Sequence, residues 1–209
     1  MIVSHKYRFV YMPPGKTGTQ SIHSALNLDK INAEAFVWGI DEGSWKYQEP
    51  FNGEHIIKEK HKCHLPEELE EYYIFASVRH PCARQISRYL HGKNKSKACP
   101  SQKEFEVFNS SPSTHKRSCY RLLHLNDDYV PPKGCIPFHI SHFIKIETID
   151  KDFCDLPFVT HKIKLPHNNK SYFPEVKLHF TTEMTKHLWD VSEDFEFFNY
   201  DKQFNITLI

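Results

Sequence analysis

The run Tyr72-Tyr73-Ile74-Phe75-Ala76-Ser77-Val78 restricts the fold of this chain more than any other segment. It is a continuous β-favouring stretch with no polar–apolar alternation, so the strand it predicts has to be covered on both faces. Strands of that kind lie inside parallel sheets, where helices supply the cover. The run ends at Arg79, His80-Pro81 sets a proline at a helix start, and Ala83, Ile86, Ser87 and Leu90 follow at helical spacing. Further strand candidates at about residues 7–12, 34–38, 54–58 and 142–146 alternate with helical patterns. This rhythm predicts an α/β fold, a central parallel sheet flanked by helices on both faces. Ligands of such folds collect beyond the C-terminal strand ends. Lys16, His64 and Arg79 each follow a strand candidate, so the three are expected to converge on one edge of the sheet.

The strand candidate nearest the N-terminus opens onto the segment richest in chemistry. Arg8-Phe9-Val10-Tyr11-Met12 reads as a short buried strand, and Ser21-Ile22-His23-Ser24-Ala25-Leu26 sets Ile22, Ala25 and Leu26 on one face of a helix. Pro13-Pro14-Gly15-Lys16-Thr17-Gly18-Thr19-Gln20 lies between them. Glycines let the backbone turn its N–H groups towards an anion, the helix N-terminus adds positive potential, and Lys16 brings a mobile charge. A phosphate or sulfate cradle is the expectation. The loop of nucleoside triphosphatases needs a glycine five residues before the glycine of Gly-Lys-Thr. Here that position is Val10, inside the strand.

At 209 residues the chain is expected to form one domain, 1–209. A net charge of +1 gives no global attraction to nucleic acid or membrane, so any anion site is local. No internal repeat is visible and no apolar run approaches membrane-spanning length. The N-terminus enters a strand almost at once, leaving no room for a signal peptide, and a cytoplasmic protein is expected. Cys63, Cys82, Cys99, Cys119, Cys135 and Cys154 are dispersed, which in that compartment predicts reduced thiols.

Several segments resemble those of one enzyme family. The loop resembles the Pro-Lys-Thr-Gly-Thr-Thr-Ser loop of sulfotransferases that use 3′-phosphoadenosine 5′-phosphosulfate (PAPS), with Gly15 inserted before Lys16 and Gln20 where the family often has Thr. The segment from Arg79 to Tyr89 resembles that family's Arg-x-Pro-x-x-Arg-x-x-Ser-x-Tyr without a gap. Lys62-Cys63-His64-Leu65-Pro66 resembles Lys-Thr-His-Leu-Pro of its cytosolic branch. The stretch from His142 to Phe153 looks like the family's strand, glutamate and following helix. Leu165-Pro166-His167-Asn168-Asn169-Lys170-Ser171 and the string from Asp194 to Tyr200 are similar to late segments of its carbohydrate branch. Residues 29–52 and 92–141 have no counterpart.

The resemblance implies a P-loop-like nucleotide-binding sulfotransferase fold, with sulfuryl transfer from PAPS to a hydroxyl of a carbohydrate or other polyhydroxyl acceptor. Its alternative is a small-molecule alcohol or amine. It further implies that Gly15, Lys16, Thr17, Gly18, Thr19, Gln20 and Ser21 hold the 5′-phosphosulfate, through backbone N–H groups and the Thr17 and Thr19 hydroxyls. Arg79 and Ser87 would hold the 3′-phosphate, a task suited to a planar guanidinium and a hydroxyl. His64 would be the general base, its ordinary pKa lying near neutrality, with Lys16 and Lys62 as catalytic cations. Beyond the acceptor no partner, whether nucleic acid or membrane, is expected, and no metal.

Other readings stand beside this one. His61 competes with His64 as base. A zinc site from His61, Cys63 and His64 lacks a second ligand pair elsewhere. An ATP-dependent small-molecule kinase is disfavoured by Val10, and a non-catalytic module that kept a nucleotide pocket would need neither His64 nor Lys16. Lys93-Asn94-Lys95-Ser96-Lys97 and the stretch from Thr114 to His124 are basic, fitting either an anionic acceptor or a solvated surface. Trp38 and Trp45 are candidates for stacking on a ring or for core packing.

Overall fold

The structure is a computed structural model and describes residues 2–4, 7–27, 37–41, 44–47, 64–66, 69–111, 118–123, 125, 135–137, 139–160, 165 and 176–201. The chain forms two compact units, each made of two segments. Met1–Val78 with Leu123–Pro166 is the first, Arg79–Leu122 with His167–Ile209 the second.

The first unit is α/β. Its strands in chain order are β1 (Ile2–Ser4), β2 (Phe9–Met12), β3 (Val37–Asp41), β4 (Ser44–Tyr47), β5 (His64–Pro66), β6 (Tyr73–Val78), β7 (Cys135–Pro137) and β8 (His142–Lys145). Six of them make one sheet in the order β4-β3-β1-β2-β6-β8. Parallel pairing is confined to β2, β6 and β8, with Tyr11 opposite Phe75 and Ser77 opposite Ile144. The expected parallel sheet is thus a three-stranded core, extended by an antiparallel arm. A tight turn at Tyr7-Arg8, with Arg8 at φ 51°, reverses the chain between β1 and β2, and a short reversal permits only antiparallel pairing. The strand expected at 34–38 lies at Val37–Asp41 on this arm, paired antiparallel to β1 and β4. The candidate at 54–58 falls outside the described residues.

Helix α1 (Thr19–Asn27) follows β2, and a 3₁₀ turn (Ile146–Thr148) carries β8 into a short helix (Ile149–Cys154). Ile22, Ala25 and Leu26 of α1, at the spacing read from the sequence, pack with Phe9, Tyr11, Phe75, Ile144 and Phe153 in a fully buried cluster. Because side chains alternate along a strand, Tyr11, Phe75 and Ser77 share the α1 side of the sheet. The Tyr11 and Phe75 rings stack there at 5.0 Å.

The described secondary structure of the second unit is helical: α2 (Pro81–Ser96), α3 (Gln102–Asn109), α4 (Cys119–Leu122), then the helices Thr182–Val191 and Asp194–Phe197. Ile86 and Tyr89 of α2 join Phe105, Leu178 and Met184 in one buried cluster. Cys82, Leu188 and Phe195 form another. α3 opens with Ser101, whose hydroxyl accepts from the Glu104 N–H at 3.3 Å and donates to the Glu104 carboxylate at 2.9 Å.

Candidate functional site

The loop from Pro13 to Gly18 leaves the C-terminal end of β2, where Met12 stands opposite Ala76. φ is 73° at Lys16 and 70° at Gly18, and these are the only positive values from Gly15 to Thr19. The sign of φ therefore alternates over five residues, the backbone pattern that anion-binding nests share. The Gly18 carbonyl then accepts from Ser21 N–H at 3.0 Å and Ile22 N–H at 3.2 Å, so α1 starts where the curl ends and adds the positive end of its dipole. Gly18 holds a left-handed φ, which favours glycine, and a Cβ there would have to push aside the terminal Cδ1 of Ile146. Gly15 and Gln20 are exposed, while Lys16, Thr19 and Ser21 are half-buried.

One expected contact is corrected. Thr17 is fully buried, and its hydroxyl donates to the Pro14 carbonyl at 2.6 Å and meets Ser77 Oγ at 2.7 Å. That hydroxyl is committed to the inside of the loop, so Thr17 offers an anion its backbone only. The Thr19 side chain bonds the Tyr11 phenol, which burial pushes well above its ordinary pKa. Tyr11 and Ser77 were not singled out by sequence reasoning. The signal was present: Ser77 is the one hydroxyl amid Ile74-Phe75-Ala76 and Val78, two residues before Arg79.

Arg79 and Ser87 belong to the second unit. Arg79 is half-buried at the junction after β6, its N–H bonded to the Cys119 sulfur. Ser87, also half-buried, lies two turns into α2. The residue between strand and helix, His80, is 5% exposed and caps α2: its Nδ1 accepts from Cys82 N–H at 3.3 Å. Nε2 must then carry the proton, and it donates to the Asp201 carbonyl at 3.2 Å. Phe195 and Tyr200 meet the imidazole edge to face at 5.5 and 5.1 Å. Burial lowers the pKa of His80 to about 4, with the Asp201 hydrogen bond and charge opposing.

Asp194 anchors the same unit. It is 1% exposed and accepts from the N–H groups of Cys119 at 2.8 Å and Tyr120 at 2.7 Å. Burial raises its pKa while these bonds and the buried Arg84 guanidinium pull it down. The string from Asp194 to Tyr200, read from the sequence only as a family resemblance, is therefore what packs around the Arg79-His80 junction. Cys119 beside it is a buried thiol pushed up to about 12, and Cys82, Cys99 and Cys154 are also free thiols.

His64 opens β5, which pairs with β7 in a separate two-stranded sheet, His64 opposite Pro137. It is described at the backbone alone, and Lys62, His61 and Cys63 lie outside the described residues, as does the strand expected before them. Of the three residues expected to converge, Lys16 follows β2 in the first unit, and Arg79, after β6, belongs to the second. Most of the string from Leu165 to Ser171 is likewise outside the described residues. Among the described residues no group of three or more His, Cys, Asp or Glu side chains is placed to hold a metal ion, and no helix is long and apolar enough to cross a membrane. No family model, curated protein or solved structure matches the chain.

Proposed function

We propose that this chain is a PAPS-dependent sulfotransferase that moves a sulfuryl group to a hydroxyl of a carbohydrate or other polyhydroxyl acceptor. The observation that carries the reading is the loop from Pro13 to Gly18, where alternating φ, a left-handed lysine and a helix start follow a parallel strand. On this reading the backbone of Gly15 to Thr19 holds the 5′-phosphosulfate, and Lys16 neutralises the charge that builds on the leaving phosphate oxygen as the S–O bond breaks. Arg79 and Ser87 anchor the 3′-phosphate, using binding remote from the sulfur to position it. His64 takes the acceptor proton, with Lys62 as a neighbouring cation. Val10 supports this reading over a kinase: it is fully buried within β2, where a triphosphatase loop would need glycine.

A thermal-shift titration tests the proposal. Adenosine 3′,5′-bisphosphate without metal is expected to raise the melting temperature, and AMP or ATP with magnesium to raise it less. A larger shift with ATP and magnesium would replace this function with that of a kinase. His64→Ala should abolish sulfuryl transfer and keep the bisphosphate shift; loss of the shift would remove His64 from the base role.

A further inference from the structure

Three fully buried hydroxyl side chains, Tyr11 on β2, Ser77 on β6 and Thr17 in the loop, form one hydrogen-bonded line across the α1 side of the sheet. Tyr11 Oη and Ser77 Oγ are 2.7 Å apart, Ser77 Oγ and Thr17 Oγ1 are 2.7 Å apart, and Thr17 Oγ1 is 2.6 Å from the Pro14 carbonyl oxygen. The direction of the line is fixed by its last member. A carbonyl only accepts, so the single hydroxyl proton of Thr17 goes to Pro14. Ser77 must then donate to Thr17, and Tyr11 to Ser77. With all three protons allotted, the line has one arrangement only.

We infer that Ser77, oriented by Tyr11, is a positioning residue that holds the Lys16 loop in its anion-binding curl before any ligand arrives. This inference rests on the proposed donor site and says how that site is kept in shape. Thr17 is the residue between the two left-handed positions, Lys16 and Gly18, so pinning its side chain fixes the pivot around which the φ signs alternate. Ser77 supplies the pin from a central strand, the most constrained element available, because β6 is paired on both sides. Burying hydroxyls here is stabilising only while each stays paired, so loss of one partner loosens the loop rather than letting it settle into a new fixed shape.

The test is calorimetric titration of the full chain and of Ser77→Ala with two probes, adenosine 3′,5′-bisphosphate and adenosine 3′-monophosphate. Only the first carries the phosphate that the loop would hold. Affinity for the bisphosphate is expected to fall about tenfold in Ser77→Ala, the size of one lost hydrogen bond, while the 3′-monophosphate binds as before. Ser77→Thr, which keeps the hydroxyl, should restore the difference. Tyr11→Phe keeps the ring in the core and removes the donor to Ser77, giving a smaller loss in the same direction; it carries the test should Ser77→Ala fold poorly. Bisphosphate affinity retained in both variants, or lost in step with the monophosphate, overturns the inference alone. An unaltered protein with no affinity for the bisphosphate overturns the donor reading and this inference with it.

Discussion

Lys16 occupies a backbone conformation that suits glycine, φ 73°, between two glycines that the chain places at 15 and 18. A side chain there costs about 1–2 kcal/mol, and strain of that kind persists where the side chain is needed. Two substitutions separate the costs. Lys16→Ala removes the amine and keeps the strain; Lys16→Gly removes both, at some loss to unfolded-chain entropy. Lys16→Gly is expected to be as stable as Lys16→Ala or more so by up to about 1 kcal/mol in urea unfolding, with both losing bisphosphate affinity. A markedly less stable Lys16→Gly would show that the left-handed turn is not strained. The positions of these residues were legible in the sequence, whereas the reason for Gly18 was only half so. Its turn was foreseeable, but the methyl of Ile146 that a Cβ would displace comes from the distant 3₁₀ turn after β8. Thr17 was misread for a related cause, since nothing local tells an inward hydroxyl from an outward one.

Helix α2 shows how a local signal and a tertiary one divide the work. Pro81 was legible as a helix start, and α2 begins there. The cap is unusual, a histidine held by a chain segment more than a hundred residues away, and only folding reveals it. It makes stability depend on pH in a defined direction. In the unfolded chain His80 takes a proton near pH 6.5, but in the folded protein only near 4. The unfolded state therefore binds more protons between those values. The contribution is complete above about pH 6.5 and is lost as pH falls towards 4, amounting to up to about 3 kcal/mol. His80→Asn can still cap the helix and does not titrate. Urea unfolding across pH 4–7 should show this slope in the unaltered protein and a shallower one in His80→Asn; equal slopes would clear His80 of the effect. The antiparallel arm was less legible than α2. β1 has three residues and β4 four, too few for a periodic pattern to emerge, and their pairing depends on where the chain turns back.

The α/β reading holds for the first unit, whose parallel core of β2, β6 and β8 follows strands visible in the sequence. The division of the chain into two units was not foreseen, because each unit is assembled from segments far apart in the chain. One consequence is that the second unit has no contiguous core. Deleting 167–209 would remove Leu178, Met184, Leu188 and Phe195 from its two clusters. At about 1.5–3 kcal/mol for each buried side chain, the loss rivals the whole stability of a typical domain. Circular dichroism of that deletion should therefore show loss of the α2 and α3 helical signal as well as that of the segment removed; α2 and α3 retained at full strength would mean that Arg79–Leu122 folds alone. The register of the sheet has a bearing on time as well as on shape. Ile2 finds Tyr11 across a short reversal, a contact that hairpins make in microseconds, whereas Phe75 meets His142 only after the intervening chain has been gathered in. During refolding the β1–β2 hairpin can form early, while the pairing of β6 with β8 has to wait for that long closure, so the sheet gains its parallel character only after its antiparallel seed.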